Sequence, residues 1–136
     1  NKLAPLGAEL LVETLPKYIS GEITSQLQPE EDATYAKMLK KADGELDFSK
    51  TAVELERQTR AFSPWPSSFF EWEGKRVKVH RAKVDGRKSP GIGSKLKVAG
   101  APAIGTSEGI LILVQIQPAG KKRMDGKSFL AGGRDW

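Results

Sequence analysis

Past residue 62 the chain is cut by glycine or proline so often that only short elements fit between the cuts. Ser63-Pro64-Trp65-Pro66 opens the stretch, and Gly74, Gly91, Gly93, Gly100, Pro102, Gly105, Gly109, Pro118 and Gly120 divide the rest. Proline removes a backbone donor and glycine favours turns, so a long helix is excluded here. What lies between the cuts is β-like. Phe69–Trp72 and Lys75–Ala82 flank Glu73-Gly74, a two-residue hairpin signal, and Val77 and Val79 alternate with Arg76, Lys78 and His80. Gly91–Val98, Ala103–Thr106 and Gly109–Gln117 supply further strands, and Asp125–Leu130 a last amphipathic stretch. Short strands with one internal helix predict a mainly β fold with a few helices, an OB-like small β-barrel.

Ahead of the strands the pattern changes. Leu6, Leu10, Leu11, Leu15 and Ile19 recur at helical spacing over residues 3–20, with Gly21 as the cap and Pro16 at a kink or in the last turn. The segment Glu22–Asp32 is acidic, contains Pro29 and has no period, which reads as a linker. From Thr34 the globular part begins, with Tyr35, Met38, Leu39, Leu46 and Phe48 as apolar anchors around an Asp43-Gly44 turn. Thr51-Ala-Val-Glu54 fits a capping box, and Ala52, Leu55, Thr59 and Phe62 share one face of the helix it starts. The expected organisation is an amphipathic helix over 1–21, an extended linker over 22–33 and the barrel over 34–136. Because the chain opens inside a helix and no methionine precedes Asn1, we expect a piece of a longer protein.

Composition narrows the chemistry. A chain of 136 residues is about one domain, large enough to bury a core without disulfides. The absence of cysteine excludes thiol nucleophiles and Cys-ligated zinc, and His80 is the single histidine. The longest apolar run, Ile110–Val114, is far short of a membrane span, and the N-terminus is no signal peptide; the expected location is the cytoplasm, or a mitochondrial or plastid matrix. Charge is unevenly placed. Residues 1–73 hold 8 Lys+Arg against 13 Asp+Glu, net −5, whereas residues 74–136 hold 14 against 4, net +10. A cationic half of this kind points to a polyanion, most often nucleic acid.

The candidate contacts follow from that half. On a strand, Arg76, Lys78 and His80 share one face while Val77 and Val79 face the core; the plainer reading of the stripe is a solvated face of a half-buried sheet. Lys121, Lys122 and Arg123 follow a strand and a Pro-Ala-Gly turn, a loop suited to gripping phosphates, or else a solubilising loop. Trp65 and Trp72 are expected to pack in the core, Trp65 locking the helix end onto the sheet, rather than to stack on bases. His80, with no carboxylate near it in sequence, is expected at the surface rather than as a general base. Ser89-Pro-Gly-Ile-Gly93 lacks the Lys-Ser/Thr ending of a phosphate loop and reads as a turn. Glu30-Glu31-Asp32 lies in the linker, where nothing would desolvate it. No catalytic, cofactor-binding or metal-binding residue emerges.

Several segments together resemble the methionyl-tRNA formyltransferase family: Leu3-Ala-Pro-Leu-Gly-Ala-Glu-Leu-Leu11, Thr34-Tyr-Ala-Lys-Met-Leu39, Asp43-Gly-Glu-Leu-Asp-Phe48, Arg60-Ala-Phe-Ser-Pro-Trp-Pro66 and Gln117-Pro-Ala-Gly-Lys-Lys-Arg-Met124. Ser63 stands where the family usually has Asn, and Phe48 where it usually has Trp. The resemblance spans residues 3 to about 131 and implies a carboxyl-terminal part: the last helix of a Rossmann-like catalytic domain, the linker, and an OB-like tRNA-binding domain. It further implies that the parent enzyme uses 10-formyltetrahydrofolate to formylate methionyl initiator tRNA, its partner, through an Asn-His-Asp constellation that this chain, with Asn1 and His80 alone, lacks. On that basis the chain by itself is expected to be inactive, to bind no cofactor, to act with the missing catalytic domain in cis, to be monomeric and to hold tRNA phosphates through Lys121, Lys122 and Arg123. Arg76 and Lys78 are added from the strand pattern. Two alternatives stay open: the same domain in another 10-formyltetrahydrofolate-dependent enzyme, such as a sugar-nucleotide formyltransferase, a hydrolase or a dehydrogenase, and a stand-alone OB-type module for single-stranded nucleic acid.

Overall fold

Glu73 and Gly74 turn the chain back with φ of 50° and 67°, the pair of positive values that a type I′ hairpin requires, in a computed structural model that describes residues 2–132 and 136. The turn joins β1 (Ser68–Trp72) to β2 (Lys75–Asp85) in an antiparallel ladder running from Trp72↔Lys75 to Ser68↔Val79. The other edge of β2 pairs with β5 (Ile110–Pro118), and β5 pairs in turn with β4 (Ala101–Gly105) and with β6 (Met124–Asp125). With β3 (Lys95–Val98) on β4, the main path of the six-stranded sheet is β1-β2-β5-β4-β3, all ladders antiparallel. The architecture is mainly β with a few helices, as the punctuation requires.

Two strands differ from expectation. The strand foreseen over 91–98 starts only at Lys95, because Gly91 and Gly93 take φ of 144° and 75° and the Ser94 N–H donates to Gly91 O at 3.2 Å, which makes a turn. The strand foreseen over 103–106 includes Pro102 instead. The β4–β5 ladder begins at Ala103, so the donor that Pro102 lacks interrupts nothing on that side.

The core forms where the apolar positions of these strands converge. Phe70, Val77, Val79, Ile104, Leu111, Leu113 and Ile116 pack with Leu55 of α2 (Ala52–Ala61) and Phe129 of α3 (Gly126–Gly132). Each such buried aliphatic side chain contributes about 1.5–3 kcal/mol relative to exposure. Helix α2 begins as its capping box specifies, the Glu54 N–H donating to Thr51 Oγ1 at 3.2 Å and the Thr51 N–H to Glu54 Oε2 at 2.9 Å. Strand pairing leaves an edge on β1 and another on β3, and Trp136 bridges them. Its Nε1 donates to Leu96 O on β3 at 2.9 Å, while its ring lies 6.3 Å from Phe70 and 5.9 Å from Trp72 on β1.

The chain divides into two units between Lys37 and Met38. The first carries α1 (Leu3–Ile19), which has no buried residue and holds Pro16 in its last turn; it ends with the Ser20 N–H on Pro16 O and with Gly21 at φ 76°. In the second, Leu46 is buried and Phe48 packs on the core, whereas Met38 is 85% exposed, as Tyr35 in the first unit is 93% exposed. No helix or strand forms between Ala33 and Lys40, so neither anchor has a face to present to the sheet.

Trp65 corrects a second expectation. It does not lock α2 onto the sheet but stands 54% exposed. The loop closes beneath it through Ser67, whose N–H donates to Phe62 O at 2.9 Å and whose hydroxyl donates to Pro64 O at 2.7 Å, and the indole is left outside. Trp72, by contrast, packs edge-on to Phe129 at 5.0 Å, as expected of a core aromatic.

Helix α3 lies close to the sheet because Gly126 has no side chain: a Cβ there would collide with Leu113 O and stand 2.7 Å from Pro102 Cδ. Gly126→Ala is expected to cost about 1–3 kcal/mol in urea unfolding. Gly86→Ala, in open space, should stay within about 0.5 kcal/mol of the parent. Equal midpoints for the two variants would contradict this packing.

Candidate nucleic-acid interface

The β2–β5 ladder is irregular at one place, and the site is built around it. Val79 pairs with Ile116 and Ala82 with Leu113, but between them only Arg81 and Gln115 pair, leaving His80 and Val114 out of register. Such a bulge bends the strand and re-aims its side chains. Arg76 and Lys78 point outward before it, His80 is half-buried at it, and Arg81 is exposed after it.

The loop after β5 folds against the same face. The Lys121 N–H donates to Pro118 O at 3.0 Å across a turn with Gly120 at φ 72°, a conformation that favours glycine, and the Ala119 N–H donates to Arg76 O at 2.9 Å. The backbone of the loop is thereby held beside Arg76, and Arg123 reaches the Arg76–Lys78 face at His80, whereas Lys121 lines a depression with Trp72, Lys75 and Val77 on the opposite face of β2. Arg76 is positioned by an aromatic ring rather than by a carboxylate, its guanidinium lying 4.0 Å from the centroid of Phe69. Among the described residues no ion pair engages any of the five, although Glu71 faces Arg76 across the ladder.

His80 joins strand to loop, a role its sequence context does not show. Its Nε2 lies 3.0 Å from Gln117 Oε1, and its Nδ1 lies 3.1 Å from Arg123 Nη2. Arginine only donates, so Nδ1 accepts and Nε2–H donates, which fixes the neutral tautomer. Gln117 then donates through Nε2 to Lys121 O at 3.0 Å, completing a chain from Arg123 to the backbone of the loop. Burial holds the imidazole below its ordinary value of 6.5; the Gln117 bond pulls it back up, and the charges of Arg123 and Lys78 push it down again. Spacing pointed to the stripe, but Gln117 as the partner of His80 needed the strand pairing to be seen.

Two depressions flank this ridge with Arg76 and Lys78 as their common wall. One, of about 180 Å³, is completed by Gln117, Pro118, Ala119 and Gly120. The other, of about 250 Å³, is completed by Lys41, Trp65 and Phe69 with the prolines beside them. Lys41 escaped the sequence reading because it lies far in the chain from the stripe it joins, and Trp65 because it is expected in the core instead. Among the described residues no three His, Cys, Asp or Glu side chains converge as a metal site would need, and no helix is long and apolar enough to cross a membrane.

The family model and the curated relatives point to one family. The model described as formyl transferase, C-terminal domain, matches residues 38–134. Methionyl-tRNA formyltransferase of Chloroflexus aggregans (strain MD-66 / DSM 9485) is 42% identical over 135 residues, which are 97% of this chain and 44% of that protein. The enzyme of the same name from Myxococcus xanthus (strain DK1622) is 45% identical over 133 residues, 96% of this chain and 42% of that protein. The chain thus spans less than half the length of these relatives. Among solved structures, HypX from Aquifex aeolicus in complex with tetrahydrofolic acid shares the fold, with a TM-score of 0.61 over 90% of this chain and 22% of that one, at 17% identity.

Because the chain has one histidine, its ring signal can be followed without ambiguity. The midpoint of His80 is expected below 6.5, and Arg123→Ala should raise it without restoring it fully, since burial is the larger cause. The sign follows from linkage: the neutral ring contributes its stability above about pH 6.5, and that contribution is lost as pH falls through the folded midpoint. A midpoint at or above 6.5 in the parent would contradict the bonded, neutral imidazole.

Proposed function

The chain belongs to the formyl transferase, C-terminal domain, family, and we propose that it holds tRNA for an enzyme that formylates methionyl initiator tRNA. The observation that carries the reading is the concentration of cations on β2 and the loop after β5, with Arg76, Lys78 and Arg123 on one face and Lys121 and Lys122 in the same loop, none of them in an ion pair among the described residues. Cations left without an acidic partner among the described residues and held in place by a ring, a ladder and a turn are suited to a phosphate backbone. Each phosphate contact adds affinity that falls with salt, and such contacts position RNA without reading its sequence. Under this reading, selection of the initiator rests elsewhere.

The curled sheet serves as the OB-like element, residues 1–21 as the last helix of a catalytic domain and residues 22–33 as the linker to it. The exposed apolar side chains of α1, with Leu6 at 50% and Leu10 at 52%, suit a helix that packs on further protein. The residues present do not fit a formyl-transfer centre. Both ring nitrogens of His80 are engaged by Gln117 and Arg123, and among the described residues no carboxylate is bonded to it. We therefore assign folate binding and the transfer step to protein outside these residues and route no chemistry through them. The fold does not choose the substrate, since HypX shares it; the relatives more than 40% identical along nearly the whole chain favour tRNA over a sugar nucleotide.

The test is binding of initiator and elongator tRNA across a salt series. The Lys121→Ala/Lys122→Ala double variant should weaken both tRNAs alike and lower the salt slope by about 2, one for each phosphate that is no longer neutralised. Unchanged affinity and slope would remove the loop from the interface.

A further inference from the structure

We propose that the depression between Trp65 and the Arg76–Lys78 ridge is a site for a single unpaired nucleotide of bound RNA, its base stacked on the Trp65 indole and its phosphate held by Arg76 and Lys78. The inference rests on the reading of the ridge as an RNA surface and adds to it a contact of a different physical kind. Tryptophan carries a large apolar surface that is costly to leave in water, yet Trp65 is 54% exposed, while Trp72 and Trp136 are drawn into the aromatic cluster with Phe129. It stands in a loop held from below by the two bonds of Ser67, so the ring is presented rather than loosely attached.

The surroundings of the indole select the ligand. The depression of about 250 Å³ is lined by Lys41, Arg76 and Lys78 on its polar side, by Trp65, Phe69, Pro64 and Pro66 on its apolar side, and by no carboxylate. An aromatic plane beside three cations matches a group that is flat and apolar at one end and anionic at the other. A nucleotide has that form, and stacking accepts any base because every base has a π-face. Arg76 is already placed by its contact with Phe69 at 4.0 Å, so little side-chain freedom is lost when a phosphate arrives. A base inside a duplex cannot reach the indole without leaving its stack, so the site distinguishes unpaired from paired RNA. The second depression, which shares Arg76 and Lys78 as its wall and is completed by Gln117, Pro118, Ala119 and Gly120, lets the backbone continue toward the loop after β5.

The experiment uses the whole 136-residue chain with a uridine hexamer, a blunt RNA duplex and initiator tRNA as probes. Trp65→Ala should weaken the hexamer roughly tenfold and leave its salt slope unchanged, because stacking releases no counterions; duplex affinity should not move. Trp65→Phe should keep most of the hexamer affinity but abolish the quenching of tryptophan fluorescence that the parent shows on binding, and it supplies the readout if the alanine variant is poorly folded. Arg76→Ala should lower the slope for every probe. Hexamer affinity and quenching indifferent to both Trp65 variants, with tRNA binding still dependent on Lys121 and Lys122, would overturn this site and leave the wider reading standing. No binding of any probe at low salt would overturn both.

Discussion

The ladder between β2 and β5 is the interaction on which the rest of the molecule depends. Each is a central strand: β2 carries β1 on its far edge, and β5 carries β4 and β6. Val77, Val79, Leu111, Leu113 and Ile116 from this pair supply much of the core, while Arg76, Lys78 and Gln117 stand among the outward positions of the same two strands. A strand that alternates cannot move its apolar side chains without moving its cations as well. The geometry of the basic ridge is thus set by the hydrophobic register beneath it, and a slip of one residue would bury lysine and expose valine.

The bulge at His80 modifies that alternation where the loop arrives. In a regular ladder His80 would lie wholly with Arg76 and Lys78; out of register it becomes half-buried and reaches Gln117 on one side and Arg123 on the other. The loop carrying Lys121 and Lys122 is tied to the sheet by these bonds together with those of Ala119 and Gln117. Burial already disfavours a charged imidazole, and a third charge beside arginine and lysine would be repelled as well, so the two act in the same direction on it.

Closure of the sheet relies on packing rather than on backbone pairing. Trp136 spans β1 and β3 through one hydrogen bond and a set of edge-on ring contacts with Phe70 and Phe129. Helix α3 supplies Phe129 to the same cluster, and its N-terminus is capped by Asp125, which accepts from the Ser128 N–H at 2.9 Å and the Ser128 hydroxyl at 2.7 Å. Those bonds hold the Asp125 carboxyl below its usual range.

By itself the sequence determined the local elements: the Glu73-Gly74 hairpin, the Thr51–Glu54 capping box, the alternation around Val77 and Val79, and the concentration of cations after residue 74. These are written in spacing and in the backbone preferences of single residues, so they are legible without any partner. It also made the five basic candidates visible as two groups, though not how the two lie on the sheet. Only the tertiary structure decided that Arg123 reaches His80 on the Arg76–Lys78 face while Lys121 lines the other, that Gln117 holds His80, and that Lys41 joins the depression beneath Trp65. Those relations cross between strands and loops remote in the chain, where no local periodicity records them. Trp65 shows the same limit from the other side: its size argued for burial, but whether a large ring is buried depends on how the loop that carries it is held, and here the bonds of Ser67 close the loop with the indole outside.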